Sequence, residues 1–336
     1  MPYRTPLAAL LFLAPAIACA QTATSDGSMR EMRIAMSTAT VAQVPMARPQ
    51  GAIVLEGQIA GQPAAFLFDN GSDATLIDEG FARSHGLAVS KTALGLNTGL
   101  STVPTGRVES TIAIGSAFKA SGQFVVANLT AVSQGLGRPI AGVLGADALA
   151  AFIVVVNPSG QWIAFGLHDH FSVTSRAGQG AGAAAGGAPA RIGFAPGYRI
   201  AAQVNGQPVS LKIDYGSVRA AVSLRDDIWD HVIPAEARTK QSATSVRADG
   251  RTTGSQPLGI AKQLKLSADV WLGDVPVLRQ SPSVRSSSEG LLGLGVLGSS
   301  VTILDTAKGT LWLYPPGQDV SVAAEQKPAA TTDPKG

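Results

Sequence analysis

Two stretches of the chain share one pattern, Asp-x-Gly-Ser: Asp69-Asn70-Gly71-Ser72 and Asp214-Tyr215-Gly216-Ser217. Two carboxylates held a few ångströms apart cannot both ionise; they share one proton and their titrations spread apart. One member is then a base while the other is an acid, which is the equipment for activating a water molecule and stabilising what it attacks. Taken singly, Asp-x-Gly-Ser is also ordinary turn chemistry, with Asp opening the turn and Gly supplying its special backbone angles. The case for chemistry therefore rests on what surrounds the two copies.

That surrounding sequence repeats. Ile59-Ala60-Gly61-Gln62-Pro63 precedes the first aspartate, and Val204-Asn205-Gly206-Gln207-Pro208 precedes the second, each landmark returning 145 residues later. Both Gly-Gln-Pro segments separate runs of strand composition, so each Asp loop closes a hairpin. In Leu211-Lys212-Ile213 the apolar residues alternate, as a half-buried strand requires. Downstream, Gly142-Val-Leu-Gly145 and Gly290-Leu-Leu-Gly293 are a second matched pair. An apolar strand, a turn and another strand follow each: Phe152–Val156 and Trp162–Phe165, then Val301–Leu304 and Leu311–Tyr314. The chain is thus a tandem duplication, joined by a Gly/Ala-rich stretch, Arg176–Ala190, of linker composition.

Each half resembles a lobe of the retropepsin-type aspartic peptidases: an apolar strand, Asp-x-Gly-Ser, then a hydrophobic-hydrophobic-Gly segment. The likeness spans about Ile53–Phe165 and Arg199–Tyr314. It implies an all-β fold of two homologous β-barrel lobes related by a pseudo-two-fold axis, with an active-site cleft between them. It also implies an aspartic-type endopeptidase that needs no cofactor or metal. Water activated between Asp69 and Asp214 would attack the peptide carbonyl of a peptide or unfolded protein, best at acid pH. Gly71 and Gly216 would let the backbone turn tightly, and the Ser72 and Ser217 hydroxyls would bond the outer carboxylate oxygens. Asp73 stands where retropepsins often bind substrate; a solvated turn residue is the other reading. Leu94–Gly106 and Arg247–Gly259 fall where the family places flaps over the substrate, or are plain polar hairpins.

The chain also departs from the family pattern. Asn70 and Tyr215 replace the Thr or Ser that follows each aspartate and helps to lock the two loops together. Val218 stands opposite Asp73 in the repeat, and Ala146 replaces the arginine usually found before the acid or amide at Asp147. These departures motivate an alternative: a catalytically impaired module that grips extended peptide on the same fold. A further option is two separately dimerising proteases on one chain.

Of 336 residues, 45% are hydrophobic and 15% charged, enough for a sizeable core, and 38 Gly with 20 Pro favour a turn-rich β protein. Basic residues are scattered and the net charge is +3, so nothing points to nucleic acid. Residues 1–20 read as a bacterial secretory leader, with Arg4 before an apolar run and Ala18-Cys19-Ala20 as cleavage site, implying a periplasmic or secreted protein. Cys19 as a lipidated first residue is the rival reading. As the single cysteine, it leaves the mature chain without a disulfide. Residues 21–45 and 316–336 have disorder-like composition, leaving lobes at 46–175 and 191–315 that are expected to pair within one monomer. Gly293–Gly298 matches a dinucleotide fingerprint without a βαβ context, Ser116–Lys119 an isolated Ser-x-x-Lys, and His168-Asp169-His170 a solvated turn.

Overall fold

The computed structural model describes residues 11–13, 32–36, 40–97, 102–168, 171–176, 188–218, 220–246, 255–280 and 288–324. The described residues are mostly strands, which close into two six-stranded barrels. In the first, Val54–Ile59 pairs with Gln62–Phe68, which continues through Gly142–Leu144, Leu76–Asp78, Phe118–Ala127 and Thr102–Ile114 back to Val54–Ile59. The second repeats this order with Arg199–Val204, Gln207–Ile213, Gly290–Leu292, Val222–Leu224, Trp271–Arg279 and Gln256–Lys265. The sequence duplication is therefore a duplication of topology.

Each Asp loop sits at the end of a hairpin whose turn is tighter than the sequence suggested. The turns are Ala60-Gly61 and Asn205-Gly206, all four with positive φ, between 50° and 80°. Both central positions of such a two-residue turn must be left-handed, because only that twist matches the twist of the flanking strands. Glycine occupies the second position at no steric cost. The Gln-Pro that follows belongs to the returning strand.

A second sheet joins the lobes. Its strand order is Ala190–Gly193, Thr310–Leu313, Thr302–Asp305, Ile153–Asn157, Trp162–Gly166 and Val41–Ala47, three strands from each side. At its centre Ile153–Val156 runs antiparallel to Thr302–Asp305, with Val154 opposite Leu304 and Val155 opposite Ile303. Val154 and Val156 face the main core, while Ile153 and Val155 face a separate cluster with Val301, Ile303, Tyr314 and Val320. An unbroken apolar run is what a strand covered on both faces requires. The two halves pair with each other within the chain.

That second cluster explains two differences from the sequence reading. Residues 319–324, placed in a disordered tail, form a strand antiparallel to Phe171–Arg176, and Val320, Phe171, Val173 and Val322 pack on the cluster. Residues 33–36 and 41–45, placed in a disordered N-terminal segment, also lie in strands, Arg33–Met36 and Val41–Ala47. Val44 and Met46 are buried with exposed neighbours, the period-two pattern of a half-buried strand. Arg176 and Ala190 themselves lie in strands, and the linker core, 177–187, lies outside the described residues. Leu11–Leu13, inside the segment read from sequence as a leader, pairs in parallel with Thr244–Val246. No helix among the described residues is long and apolar enough to cross a membrane.

The Gly that ends each apolar-Gly segment admits no side chain. A Cβ on Gly293 would lie 2.4 Å from the Ala220 carbonyl oxygen and 2.6 Å from that of Ser217, both backbone atoms. Gly293→Ala should therefore cost about 1–3 kcal/mol in chemical denaturation. Gly193→Ala, which meets nothing within 4 Å, should stay within about 0.5 kcal/mol of wild type.

Candidate active site

The two Asp loops are placed by matching backbone bonds. Asp69 N–H donates to the Leu144 carbonyl (3.1 Å) and Asp214 N–H to that of Leu292 (2.9 Å), the parallel pairing of each Asp strand with its apolar-Gly strand. Each chain then turns, with the amides of Ser72 and Ser217 donating to the carbonyls of Asp69 and Asp214. Within the loops, Gly71 N–H donates to Asp69 Oδ1 and Gly216 N–H to Asp214 Oδ1, both at 2.8 Å. Ser217 N–H adds a second donor to Asp214 Oδ1 at 3.2 Å.

The two carboxyl groups are fully buried and lie close together, a Cβ on Gly71 falling 2.5 Å from Asp214 Oδ1 and 2.8 Å from Asp69 Oδ1. Each also lies against the glycine of the opposite loop. A Cβ on Gly216 would likewise sit 2.2 Å from Asp69 Oδ1. Neither glycine has a left-handed φ, so the turning freedom expected from sequence is not why they are glycines. Their missing side chains are what let the loops close on one another. The Oδ2 atoms of Asp69 and Asp214 are buried, and no protein group donates to either.

Burial raises the pKa of both acids. Asp69 is pushed well above the carboxylate range by desolvation first and by the charge of Asp214 second, against the opposing charge of Lys212. Asp214 is pushed up to about 6 by desolvation, with Lys212, the Gly216 amide, the Asp69 carboxyl and the Ser217 amide favouring its ionised form. Both acids therefore hold a proton more tightly than a free carboxyl does, and the two titrate as a pair. Asp214 receives one backbone donor more than Asp69, from Ser217 N–H.

The two residues that broke the family pattern are accounted for. Asn70 is buried and reaches across to the other lobe: its Nδ2 donates to the Ile213 carbonyl, and its Oδ1 accepts from Tyr215 N–H, both at 2.8 Å. One amide, with a donor and an acceptor, therefore bridges the loops from one side only. Tyr215 is freed from that task. Its ring packs edge-on to Phe68 at 5.3 Å, and its hydroxyl pairs with the Thr302 hydroxyl at 2.6 Å.

Other expectations need correction. The Ser72 hydroxyl donates to the Ala74 carbonyl (2.7 Å), not to a carboxylate, and Ser217 reaches Asp214 through its amide. The Asp73 carboxylate lies 3.3 Å from the Lys212 ammonium of the opposite lobe, which also donates to the Gly71 carbonyl at 2.9 Å. Asp147 clamps the end of the first loop by accepting from Thr75 N–H (3.0 Å), the Thr75 hydroxyl (2.6 Å) and Ala148 N–H (2.7 Å). Ala146, where the family carries arginine, contributes its amide to the Ser72 carbonyl. Leu94–Gly106 and Arg247–Gly259 fall in antiparallel hairpins, Ser90–Asn97 with Thr102–Ile114 and Arg238–Val246 with Gln256–Lys265; 98–101 and 247–254 lie outside the described residues. His168 pairs with the Asp305 carboxylate at 3.3 Å, while 169 and 170 lie outside the described residues.

Sequence reasoning missed Lys212, Thr302 and Thr75. Lys212 had a signal: its repeat mate is Leu67, so an apolar strand position becomes a cation two residues before Asp214.

The family model described as aspartyl protease matches residues 55–148, from the strand before Asp69 through the turn of helix at Asp147. The matched segment, the first lobe, is similar to that family. No curated protein matches the sequence. The second lobe lies beyond the matched segment, and its kinship rests on the repeat of topology and loop geometry. The aspartyl protease fold thus carries both aspartates, with each at the same structural position.

Two predictions follow from this geometry. Asn70→Ala removes both cross-lobe bonds and leaves a buried carbonyl and amide unpaired. It should cost about 2–4 kcal/mol in denaturant-induced unfolding. A buried acid whose pKa is raised from 3.8 to about 6 binds its proton more tightly folded than unfolded. Its contribution is therefore fully present below the unfolded value and lost as pH rises through the folded one. For Asp214 this loss is on the order of 3 kcal/mol. Asp214→Asn should flatten the fall in stability between pH 4 and about 7, measured by urea unfolding across that range.

Proposed function

We propose that the protein hydrolyses peptide bonds in extended peptide or unfolded protein bound between its two lobes. The observation that carries this reading is the buried pair Asp69 and Asp214, each packed against the glycine of the other's loop and each with one oxygen given no protein donor. Those two oxygens, buried as they stand, are left as acceptors for a water that would enter with the substrate. The ionised Asp214 takes a proton from that water as it attacks the peptide carbonyl. Protonated Asp69 donates a hydrogen bond to the developing oxyanion, so the charge forms beside a donor already in place. The proton on Asp214 then goes to the departing amine. The pair ends with one shared proton, as it began.

Asn70 and Tyr215, which suggested a module that binds without cutting, support the hydrolytic reading instead. Asn70 ties the loops together across the lobe boundary, and Tyr215 points away from the carboxylates into the core. The hairpins beginning at Ser90 and Arg238 are the segments that would cover substrate. The leader composition supports export, and the shared interlobe sheet supports a monomer as the working unit.

The pH profile follows from burial. Activity requires Asp214 ionised and Asp69 protonated. The acid limb of kcat/KM should therefore lie near pH 6, with an alkaline limb above it, a less acid window than the family resemblance implies. Incubation of the mature protein with a denatured protein substrate from pH 3 to 9 tests this. Asp69→Asn and Asp214→Asn should each lower kcat/KM by roughly a thousandfold. Peptide binding without turnover at any pH would instead establish the binding module, and wild-type rates in either variant would remove the dyad from the mechanism.

A further inference from the structure

The pseudo-two-fold axis relates two places between the lobes. The residue two before each aspartate shares its surroundings with the residue four after the other: Leu67 and Val218 fall in one apolar cluster, and Lys212 pairs with Asp73. That buried cluster also holds Ala52, Val54 and Ala65. At the mirror position the same two sites hold an ion pair, with the Lys212 side chain only 12% exposed. Its ammonium is anchored by the Gly71 carbonyl, and Gly71 is the residue packed directly against the Asp214 carboxylate.

We propose that Lys212 is a positioning residue that works through its charge: it ties the second lobe to the first Asp loop and fixes one cation beside the paired carboxylates. This deepens the peptidase reading and rests on it. An apolar cluster at the mirror position already shows that tethering alone needs no charge, so the lysine adds something that Leu67 does not.

The neighbourhood of Lys212 supports this. From the first loop it faces Asp69 and Asp73, and from its own strand Asp214. Arg199 lies directly across from it on the adjoining strand, and Leu291 on the other side. Glu289 is occupied by the Ser210 amide, and Asp147 by Thr75. Tyr198, nearby, stays protonated because burial and the charges of Asp147 and Asp73 raise its pKa. Lys212 is the cation that acts on both members of the pair, favouring the ionised form of each.

The test compares Lys212→Met, Lys212→Arg and the double variant Lys212→Leu with Asp73→Val, which puts the residue types of Leu67 and Val218 in the mirror places. Carboxyl-carbon NMR titration of Asp69 and Asp214 reads the pair directly and does not depend on turnover. Thermal melts establish that each variant folds. Both steps of the titration should move up by about one pH unit in the Met and double variants and stay in place in the Arg variant. The acid limb of kcat/KM should move with them. A double variant that melts like wild type and titrates like wild type would overturn the proposal and leave Lys212 as a tether. Titration shifts in a protein that cleaves no peptide would uphold the role of Lys212 while removing the peptidase reading.

Discussion

Two carboxylic acids buried against each other are the constraint on which the rest of the molecule turns. Each prefers water, and their charges repel, so folding brings them together only if surrounding groups hold them there. The groups that do so are backbone amides at Gly71, Gly216 and Ser217, a neighbouring cation at Lys212, and a shared proton. None of these is local to one lobe in its effect. The amides act only if each loop keeps its turn, and the proton is shared only if the loops touch. The interlobe sheet, centred on Val155 opposite Ile303, is therefore as much a part of the site as the aspartates.

The duplication makes this assembly economical in sequence, because one hairpin-loop-strand unit used twice generates the two-fold arrangement. It also makes every departure from symmetry informative. Asn70 supplies both a donor and an acceptor across the axis, which allows its mate, Tyr215, to become a core residue bonded to Thr302. Likewise Leu67–Val218 and Lys212–Asp73 occupy related places with opposite chemistry. An exactly symmetric pair would give two equivalent acids. Differences in the donors around them decide which one keeps the proton, and here the additional amide from Ser217 falls on Asp214.

Much of this was legible in the sequence, for reasons that can be traced to particular residues. The strands at Leu211–Ile213 and Phe152–Val156 announced themselves by apolar periodicity, and the paired Gly landmarks fixed which segments were equivalent. Turn chemistry read at Gly61-Gln62-Pro63 and Gly206-Gln207-Pro208 placed both hairpins within a residue or two of the turns at Ala60-Gly61 and Asn205-Gly206. What composition could not show was contact between distant segments. Val320 and Val44 looked like parts of disordered stretches because their value lies in covering a sheet face made by other strands. The roles of Asn70 and Lys212 were hidden for the same reason: their partners lie 143 and 141 residues away.

The glycines of the two loops show how a correct assignment can rest on the wrong cause. Gly71 and Gly216 were expected to be glycine because a tight turn demands unusual backbone angles, yet neither adopts them. The demand comes from across the axis, where a β-carbon on either would overlap the carboxyl of the other lobe's aspartate. Asp-x-Gly-Ser is thus only half described as a turn motif. Read as one face of an interface, it requires a partner loop of the same kind, since the empty space beside each glycine is filled by the opposing aspartate. The two copies in this chain are then one site written twice, and the spacing between the acids is set by the side chain that each glycine lacks.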